Sequence, residues 1–516
     1  MTRSQRIGCY LIVCAGLAIT APTFRAAETS AKPQIDVILW FDTEDYLLPA
    51  DDDAAKRLAQ MLTERNVRAT FKVVGEKARV LEKRGRRDVI EALRKHDIGY
   101  HANFHSVHPT PSEYLADCGL LDGMGEFVRR EGGGAADVRR IFGVETLACY
   151  GQPGSSWGAQ AIAALPQIGV APHGVPCYVD EGTHIGLEGK PFWYAGALNV
   201  YHMGANYTRM ELHDPAAVEP AKKKFTGIAD RLRSEGGGLI SIFYHPCEWV
   251  HREFWDGVNF RRGANPPREE WKAPPQRPAE ETEAAFRRFA EYIDHIRSTP
   301  GVRFVTASDL PALYPDTVRG PGVTEGELEE IAARLLQPGI AGVDFLVFNE
   351  KAYSVADQFE LLTLGVSELI AEGGKIRFPL AAESVLGPDS PPPPQTNLHP
   401  AWAAFREATL DARDYLQKHR GIPGRIYIGP DAVAPADFLA SLAFTFHYYH
   451  ERHALPLTNN IPLGTHFEIL PARQVAQDSP DLFGGWVIHR EGFRAPNILA
   501  VARLQAWTLK PAIRSK

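Results

Sequence analysis

The sequence predicts an α/β region with parallel strands over residues 33–316 and a mostly helical accessory region over residues 317–516. Two observations lead to this prediction. Apolar runs suited to buried strands alternate with helical patterns in the first region, and the second region repeats itself. Alternating strands and helices are typical of parallel strands joined by helical crossovers. With 516 residues, 44% of them hydrophobic and 23% charged, the chain is long enough for several domains and is not wholly disordered.

The strands of the first region are predicted from short apolar runs. Residues 35–41 (IDVILWF) form a run typical of a strand buried on both faces. Further strands are predicted at residues 69–74, 97–100, 238–244 and 301–306, and helices at residues 53–66, 80–95, 216–234 and 278–297. Parallel sheets and barrels carry their chemistry at the carboxyl ends of the strands, so functional residues are expected there.

The second region contains a duplication. Residues 352–357 (AYSVAD) align with residues 432–437 (AVAPAD), and each segment follows a strand-like run and precedes a helix-like stretch. The period of about 80 residues indicates two copies of one unit, and chance similarity of helix-rich sequence is the alternative. No His, Asp and Glu residues gather there at catalytic spacing. We therefore expect a binding or architectural module rather than a second enzyme.

The N-terminus has the pattern of a secretory signal peptide. Arg3 and Arg6 precede an apolar run over residues 7–21, and small residues at Ala26 and Ala27 offer a cleavage site. An uncleaved anchor is the alternative, but the run is short for the ~20 residues that cross a bilayer. We expect residues 1–27 to be removed, no transmembrane segment to remain, and the protein to be periplasmic or secreted.

Charge and cysteine content restrict the partners further. The formal charge is −7, and no stripe of Lys and Arg is present to contact a phosphate backbone, so a nucleic-acid partner is not expected. Beyond the predicted signal peptide, the sequence has Cys118, Cys149, Cys177 and Cys247. In an exported protein these residues either pair or remain as buried thiols, and the sequence leaves both open.

The first predicted strand ends in a cluster of carboxylates. Asp42, Glu44 and Asp45 lie within four residues directly after the buried run. Clustered like charges repel and need a cation or protons to coexist. A solvated loop with acidic helix caps is the alternative interpretation.

Two other predicted strands end in histidine. His101, His105 and His108 follow the third strand, and His245 ends the run LISIFY. His101 and His105 are four residues apart, a spacing that brings two imidazoles to one metal on a single turn. Histidines with structural hydrogen bonds are the alternative. Two imidazoles with a carboxylate suit Zn²⁺ or a similar ion, and a spare carboxylate and imidazole then serve as base and acid in metal-assisted hydrolysis.

Five motifs occur in order between residues 35 and 314: FDTEDY, RATFKVVG, IGYHANFHS, LISIFYHP and GVRFVTASDL. In this order they resemble the polysaccharide deacetylases (NodB homology domain, carbohydrate esterase family 4). The resemblance implies a distorted (β/α) barrel of the NodB type. It also implies removal of N-acetyl groups from peptidoglycan, a chitin-like polymer or exopolysaccharide by metal-activated water. Some relatives act on small amides.

The resemblance assigns a role to each residue of the clusters. Asp42 corresponds to the catalytic base, and His245 to the histidine that protonates the leaving amine. His101 and His105 correspond to the metal-binding histidines, with Zn²⁺ the expected cofactor. The third metal ligand is an acidic residue after the base. Glu44 is preferred because it points to the same side of a continuing strand as Asp42, and Asp45 is the alternative if the chain has turned.

One family motif is missing. The Arg-x-Pro-Tyr motif, whose Arg orients the base, corresponds to residues 151–154 (GQPG). Either another residue replaces this cation for Asp42, or the site accepts a different substrate. Asp180 and Glu181 are candidates for the acidic residue of the fourth motif. Trp157 is a candidate for stacking on a sugar, and a tryptophan of the core is the equal alternative.

The sequence thus predicts an exported, metal-dependent polysaccharide N-deacetylase that acts on an N-acetylated polymer. The duplicated tail is loosely similar to the pseudomurein-binding repeats of cell-wall proteins, which would hold the enzyme on its polymer by multivalency. The alternatives are a hydrolase of small or cyclic amides on the same barrel and a non-catalytic carbohydrate-binding protein. The sequence does not identify the polymer, the metal or the oligomeric state.

Overall fold

The computed structural model describes residues 34–371, 373, 375–394, 398–457 and 460–515, so the predicted signal peptide lies outside the described residues. The strands of the first region are β1 (Ile35–Thr43), β2 (Thr70–Val73), β3 (Asp97–Tyr100), β4 (Cys177–Val179), β5 (Phe192–Tyr194), β6 (Ala197–Val200), β7 (Gly238–Tyr244) and β8 (Val302–Val305). Its helices are α1 (Pro49–Glu64), α2 (Gly75–Lys83), α3 (Arg87–Leu93), α4 (Pro111–Leu115), α5 (Leu120–Phe142), α6 (Ala159–Ala164), α7 (Val218–Ser234), α8 (Trp255–Asn259), α9 (Ala279–Ser298) and α10 (Leu310–Leu313).

A parallel sheet built around β1 positions the polar strand ends. β1 pairs with β7 along one edge, and with β8 and then β2 along the other edge. β3 pairs with β2, which extends the order to β3-β2-β1-β7. Every residue of β1 is buried, as its continuous apolar run predicts. The predicted mixed α/β architecture with parallel strands is therefore confirmed.

The sheet continues beyond β3 through single bridges. Tyr150 forms parallel bridges to Tyr100 in β3 and to Tyr178 in β4, and β4 pairs with β6. The predicted helix over residues 80–95 is divided into α2 and α3, because the chain turns at Gly85 with φ of +68°. The strands β4, β5 and β6 have only three or four residues each, which is too short for a periodic sequence signal.

The second region is mainly helical. Its elements are α11 (Glu325–Leu335), β9 (Gly342–Val343), β10 (Leu346–Phe348), β11 (Lys351–Tyr353), α12 (Val355–Ala371), α13 (Trp402–His419), β12 (Ile426–Ile428), β13 (Asp431–Val433), α14 (Pro435–Arg452), β14 (Glu468–Ile469), α15 (Pro480–Gly484), α16 (Pro496–Gln505) and β15 (Lys510–Pro511).

The two sequence copies have the same order of elements: helix, antiparallel hairpin, helix. The hairpin β10–β11 lies between α11 and α12, and the hairpin β12–β13 lies between α13 and α14. The copies pack reciprocally, because α11 contacts α14 and α12 contacts α13. Their apolar side chains share one core that includes Phe359 and Phe438. The resemblance of these copies to pseudomurein-binding repeats stays a prediction.

The end of the chain returns to the first region. Phe483, Leu499 and Leu509 are buried in the same core as β1. β15 pairs antiparallel with β5, with Lys510 opposite Trp193. The last residues, which the sequence analysis placed in the accessory region, therefore pack with the parallel sheet and its helices.

A buried lysine joins the end of the chain to both regions. Lys510 is 3% exposed, and its Nζ lies 2.7 Å from Asp316 Oδ1 and 2.8 Å from Asp357 Oδ2. Burial alone would lower the pKa of Lys510, but the two carboxylates raise it above its ordinary value.

We expect Lys510→Met to lower the free energy of unfolding by about 3–5 kcal/mol, because two buried carboxylates lose their cation. Chemical denaturation followed by circular dichroism measures this change. Lys418→Met, at an exposed position in α13, is the control. A loss below about 1 kcal/mol, the size of a surface ion pair, would contradict the prediction.

Two further expectations concern membranes and disulfides. Within the described part of the chain, no helix combines the length and hydrophobicity needed to cross a lipid bilayer. Cys118, Cys149, Cys177 and Cys247 are free thiols, so the structure shows the unpaired alternative for the cysteines.

Candidate active site

The carboxyl ends of β1, β3 and β7 meet at one buried place. In the register of the sheet, Asp42 lies opposite Lys72 of β2, and the preceding Phe41 lies opposite Tyr244 of β7. Asp42 and Glu44 are each 4% exposed, although both are carboxylates. Burial of two neighbouring acids requires nearby cations, protons or a metal ion.

The two histidines after β3 converge on Glu44. The Nε2 of His105 lies 2.9 Å from Glu44 Oε2, and the Nε2 of His101 lies 3.4 Å from the same oxygen. They lie in an irregular loop rather than on a helical turn. His105 has φ of +58°, a left-handed conformation that is uncommon for a residue with a side chain and that recurs at functional sites.

The other nitrogen of each imidazole is occupied. His101 Nδ1 lies 3.0 Å from the carbonyl oxygen of Gly151, to which it donates, and His105 Nδ1 contacts the hydroxyl of Ser106. Bonds at Nδ1 orient a ring and leave Nε2 free, which is the usual arrangement of a histidine that ligates a metal.

Glu44, His101 and His105 fit a divalent metal ion. One ligand atom of each lies within 4.8 Å of the others. Among the described residues, the buried Nε2 of His105 has Glu44 Oε2 as its near acceptor at 2.9 Å but makes no well-directed hydrogen bond. Two imidazoles and one carboxylate are the donor set of many zinc sites that keep a position open for water or substrate.

The alternative ligand, Asp45, lies apart from these imidazoles. Its Oδ1 accepts a hydrogen bond of 2.9 Å from the backbone N–H of Leu47, and its Oδ2 lies 3.3 Å from His251 Nδ1. The chain leaves the strand after Thr43, so the side chain of Asp45 turns toward α1. His108, the third histidine of the motif, pairs with Glu113 and is not part of the group around Glu44.

Asp42 lies between a lysine and a histidine. Its Oδ1 is 2.8 Å from Lys72 Nζ and 3.3 Å from His101 Nδ1, and its Oδ2 is 3.6 Å from His245 Nε2. Lys72 is completely buried and lies 2.7 Å from Asp180 Oδ2. Burial would lower the pKa of Lys72, but the carboxylates of Asp180 and Asp42 raise it, so the lysine stays charged.

Lys72 occupies the space that a side chain at residue 151 would enter. A Cβ at Gly151 would lie 2.0 Å from Lys72 Nζ and 2.4 Å from Asp180 Oδ2. Gly151 therefore leaves room for the lysine, which reaches Asp42 from β2 rather than from the loop after residue 150. Of the two possibilities in the sequence analysis, the structure shows that another residue supplies a cation to Asp42.

Asp180 and Glu181, the candidates for the fourth motif, both line the site. Burial raises the pKa of Asp180 to about 7 in spite of Lys72, and it raises the pKa of Glu181 to about 8. Asp180 contacts Lys72, which also contacts Asp42. The carboxylate of Glu181 instead accepts a hydrogen bond from the backbone N–H of Met203.

His245 faces Asp42 from the end of β7. Its Nδ1 lies 2.8 Å from Glu248 Oε1, which leaves Nε2 directed at the cavity, 4.0 Å from Glu44 Oε2. Burial alone would lower the pKa of His245, but Glu44 and Glu248 raise it to about 9. Glu248 is in turn paired with Arg209, which fixes its position.

A cavity of about 350 Å³ is lined by Asp42, Glu44, His101, His105 and His245, and its other walls come from distant parts of the chain. Trp486 and Val487 reach it from the returning C-terminal segment, and Phe254 follows β7. Trp486 Nε1 donates to Asp256 Oδ2 over 3.1 Å, and its ring centroid lies 5.5 Å from that of His105. Trp486 was missed by the sequence analysis because it lies far along the chain from every motif.

The predicted stacking role of Trp157 is wrong. Trp157 is 1% exposed, and its ring stacks on His184 with 5.2 Å between the centroids. Trp157 is thus a tryptophan of the hydrophobic core, which was the alternative interpretation. Aromatic surface in the cavity comes instead from Phe243, Phe254 and Trp486. Gly154 leaves room for Trp486, because a Cβ at Gly154 would lie 2.2 Å from the indole ring.

No family model matches the chain, and no curated protein matches it. Among solved structures, a protein named as a polysaccharide deacetylase from Mycobacterium smegmatis is 16% identical, with 55% of this chain and 91% of that chain covered and a TM-score of 0.33. A Streptococcus mutans CE4 esterase is 15% identical, with 53% and 87% covered and a TM-score of 0.30. The Xyl-CE4 domain of a multidomain xylanase from the hindgut metagenome of Trinervitermes trinervoides is 12% identical, with 54% and 90% covered and a TM-score of 0.29.

These structures carry the names of the family that the sequence motifs resemble. At this level of similarity the activity of the chain must be inferred from its own site.

Proposed function

We propose that the protein is a metal-dependent hydrolase that removes N-acetyl groups from a polysaccharide outside the cytoplasm. One observation carries the proposal: the ends of three parallel strands bring three residues suited to a metal ion, a further carboxylate and a further imidazole to one cavity. Glu44, His101 and His105 would hold the ion, and Asp42 and His245 face the same space. When bound, a divalent ion such as Zn²⁺ polarises an amide carbonyl and makes water more acidic.

Asp42 is the proposed general base. Lys72 Nζ contacts Oδ1, and Oδ2 lies 3.6 Å from His245 Nε2, so the carboxylate is fixed with Oδ2 toward His245 in the cavity. A carboxylate in this position accepts the proton of a water molecule as that water attacks the carbonyl carbon of the acetamide.

His245 is the proposed general acid. Glu248 accepts from Nδ1, so the proton on Nε2 points at the cavity from the face opposite Lys72. When the carbon–nitrogen bond breaks, this proton passes to the leaving amine. This step consumes one water and yields acetic acid, which ionises to acetate by releasing a proton to solvent, and a free amine. Asp42 gains one proton and His245 loses one, and exchange of these protons with solvent restores both groups.

The walls of the cavity support a sugar substrate. Trp486 and Phe254 present aromatic surface beside polar groups, the combination on which pyranose rings pack. The resemblance of the motifs to polysaccharide deacetylases and the predicted signal peptide point the same way. Acetate release from N-acetylated chito-oligosaccharides and from peptidoglycan tests the proposal.

The wall formed by Trp486 also favours the second candidate, a hydrolase of small amides. Trp486 fills space that residues 151–154 leave open, so it narrows the cavity on that side. Turnover of soluble monomeric amides without release of acetate from any glycan would select this second function.

Metal removal should abolish the reaction. We expect dialysis against a chelator to lower acetate release by at least about a hundredfold, since polarisation of the carbonyl is lost, and added Zn²⁺ to restore it. The chelator-treated protein should keep its circular-dichroism spectrum, which is the control for folding. Full activity in protein shown to be metal-free would refute the proposal.

Trp486→Ala should weaken substrate binding. We expect KM to rise about tenfold, with kcat changed less than about threefold, because aromatic packing is lost while the reacting groups stay in place. Phe104→Ala, at an exposed aromatic outside this cavity, is the matched control. An unchanged KM in Trp486→Ala would remove Trp486 from the binding site.

A further inference from the structure

We propose that a second divalent cation binds at Asp45, Asp51 and His251, beside the proposed active site but separate from it. Asp45 follows β1, Asp51 lies in the first turn of α1, and His251 lies shortly after β7. One ligand atom from each lies within 4.8 Å of the others. The three residues are 2%, 1% and 3% exposed, so water does not solvate them.

Five polar atoms in this cluster have no hydrogen-bond partner among the described residues. They are Asp45 Oδ2, both carboxylate oxygens of Asp51 and both ring nitrogens of His251. The imidazole lies between the acids, with Nδ1 3.3 Å from Asp45 and Nε2 3.5 Å from Asp51. Buried polar atoms are nearly always paired, so a group of five unpaired donors and acceptors around one point indicates a missing ligand.

The nearby cations Lys77 and Arg84 contact a different carboxylate, that of Asp52. Lys77 Nζ lies 2.7 Å from Asp52 Oδ1 and donates to the backbone carbonyl of Asp45, and Arg84 lies 2.7 Å from Asp52 Oδ2. Among the described residues, His251 is therefore the basic side chain that lies within 4 Å of the carboxylates of Asp45 and Asp51. Two buried like charges need a cation or a proton, and an ion at this point would compensate both.

The donor set selects the kind of ion. One imidazole and two carboxylates suit Zn²⁺ and other first-row divalent ions, whereas Ca²⁺ and Mg²⁺ prefer oxygen ligands throughout. The ion would be structural, since it would tie the loop after β1 to the segment after β7. These are the segments that carry Glu44 and His245, so the second ion would support the active site without contacting substrate.

The number of ions per chain tests the proposal. The full chain is saturated with Zn²⁺, freed of loosely bound metal by gel filtration, and measured by mass spectrometry of the metal. We expect two ions in the wild type, one in His105→Ala, one in His251→Ala and none in the double variant. Asp51→Asn, which preserves shape, provides a second way to remove the site if His251→Ala does not fold.

Thermal unfolding separates this proposal from the proposed function. Zn²⁺ should raise the Tm of His105→Ala, whose remaining site is the second one, and leave the Tm of the double variant unchanged. A folded His105→Ala that binds no ion would overturn the second site and assign His251 as a protonated bridge between two carboxylates. A second ion without deacetylase activity would leave this site standing and refute only the proposed function.

Discussion

Asp42→Asn is expected to lower kcat for acetate release by about a thousandfold, the middle of the range for loss of a general base. The amide has the shape of the carboxylate but cannot accept a proton. Asp42 is not one of the three proposed metal ligands Glu44, His101 and His105, so the variant should retain its Zn²⁺. Steady-state release of acetate and metal content measured on the same preparation check both expectations.

The control for this variant is Asp53→Asn, an exposed acid in α1. It should keep wild-type kcat, since it lies outside the cavity. If Asp42→Asn retained more than about a tenth of the activity, Asp42 would not be the base, and the proposed division of roles between Asp42 and His245 would fail.

Lys72→Met is expected to lower kcat by about a hundredfold and the free energy of unfolding by about 3–5 kcal/mol. Its ammonium lies within 2.8 Å of two buried carboxylates, Asp42 and Asp180, which lose their cation together. Lys72 is thus a positioning residue that acts through Asp42.

A paired exchange separates this role from general destabilisation. Lys72→Met with Gly151→Arg would bring a cation to Asp42 from the loop that carries it in the family the motifs resemble. We expect kcat of the double variant to be at least about ten times that of Lys72→Met. Gly151→Arg alone should be inactive, because its Cβ would lie 2.0 Å from Lys72 Nζ. No recovery in the double variant would contradict the proposed substitution of one cation for another.

The carboxylates and histidines of the strand ends were predictable because their signals are local. The buried run of β1, the acids that follow it and the His101–His105 spacing are all visible within a few residues of sequence. The preference for Glu44 over Asp45 also followed from local geometry, since alternate residues of a strand share a side. The structure places Glu44 beside both imidazoles and turns Asp45 toward His251.

The remaining parts of the site depend on contacts between distant residues. Nothing in the segment ATFKVV distinguishes Lys72 from a surface lysine, because its partner Asp180 is brought to it only by the packing of β4. Trp486 likewise has no motif around it, and it reaches the cavity because β15 and α16 pack back onto the first core.

By itself the sequence determined the parallel α/β region, the duplicated unit and the carboxylates and histidines of the strand ends. Periodicity and short spacing can be recognised within short stretches of the chain. Only the tertiary structure decided which cation faces Asp42, which tryptophan enters the cavity and which buried residues lack a partner. These features depend on the folded positions of segments far apart in sequence. Burial there removes water, so each charge and each polar group needs a partner from the protein.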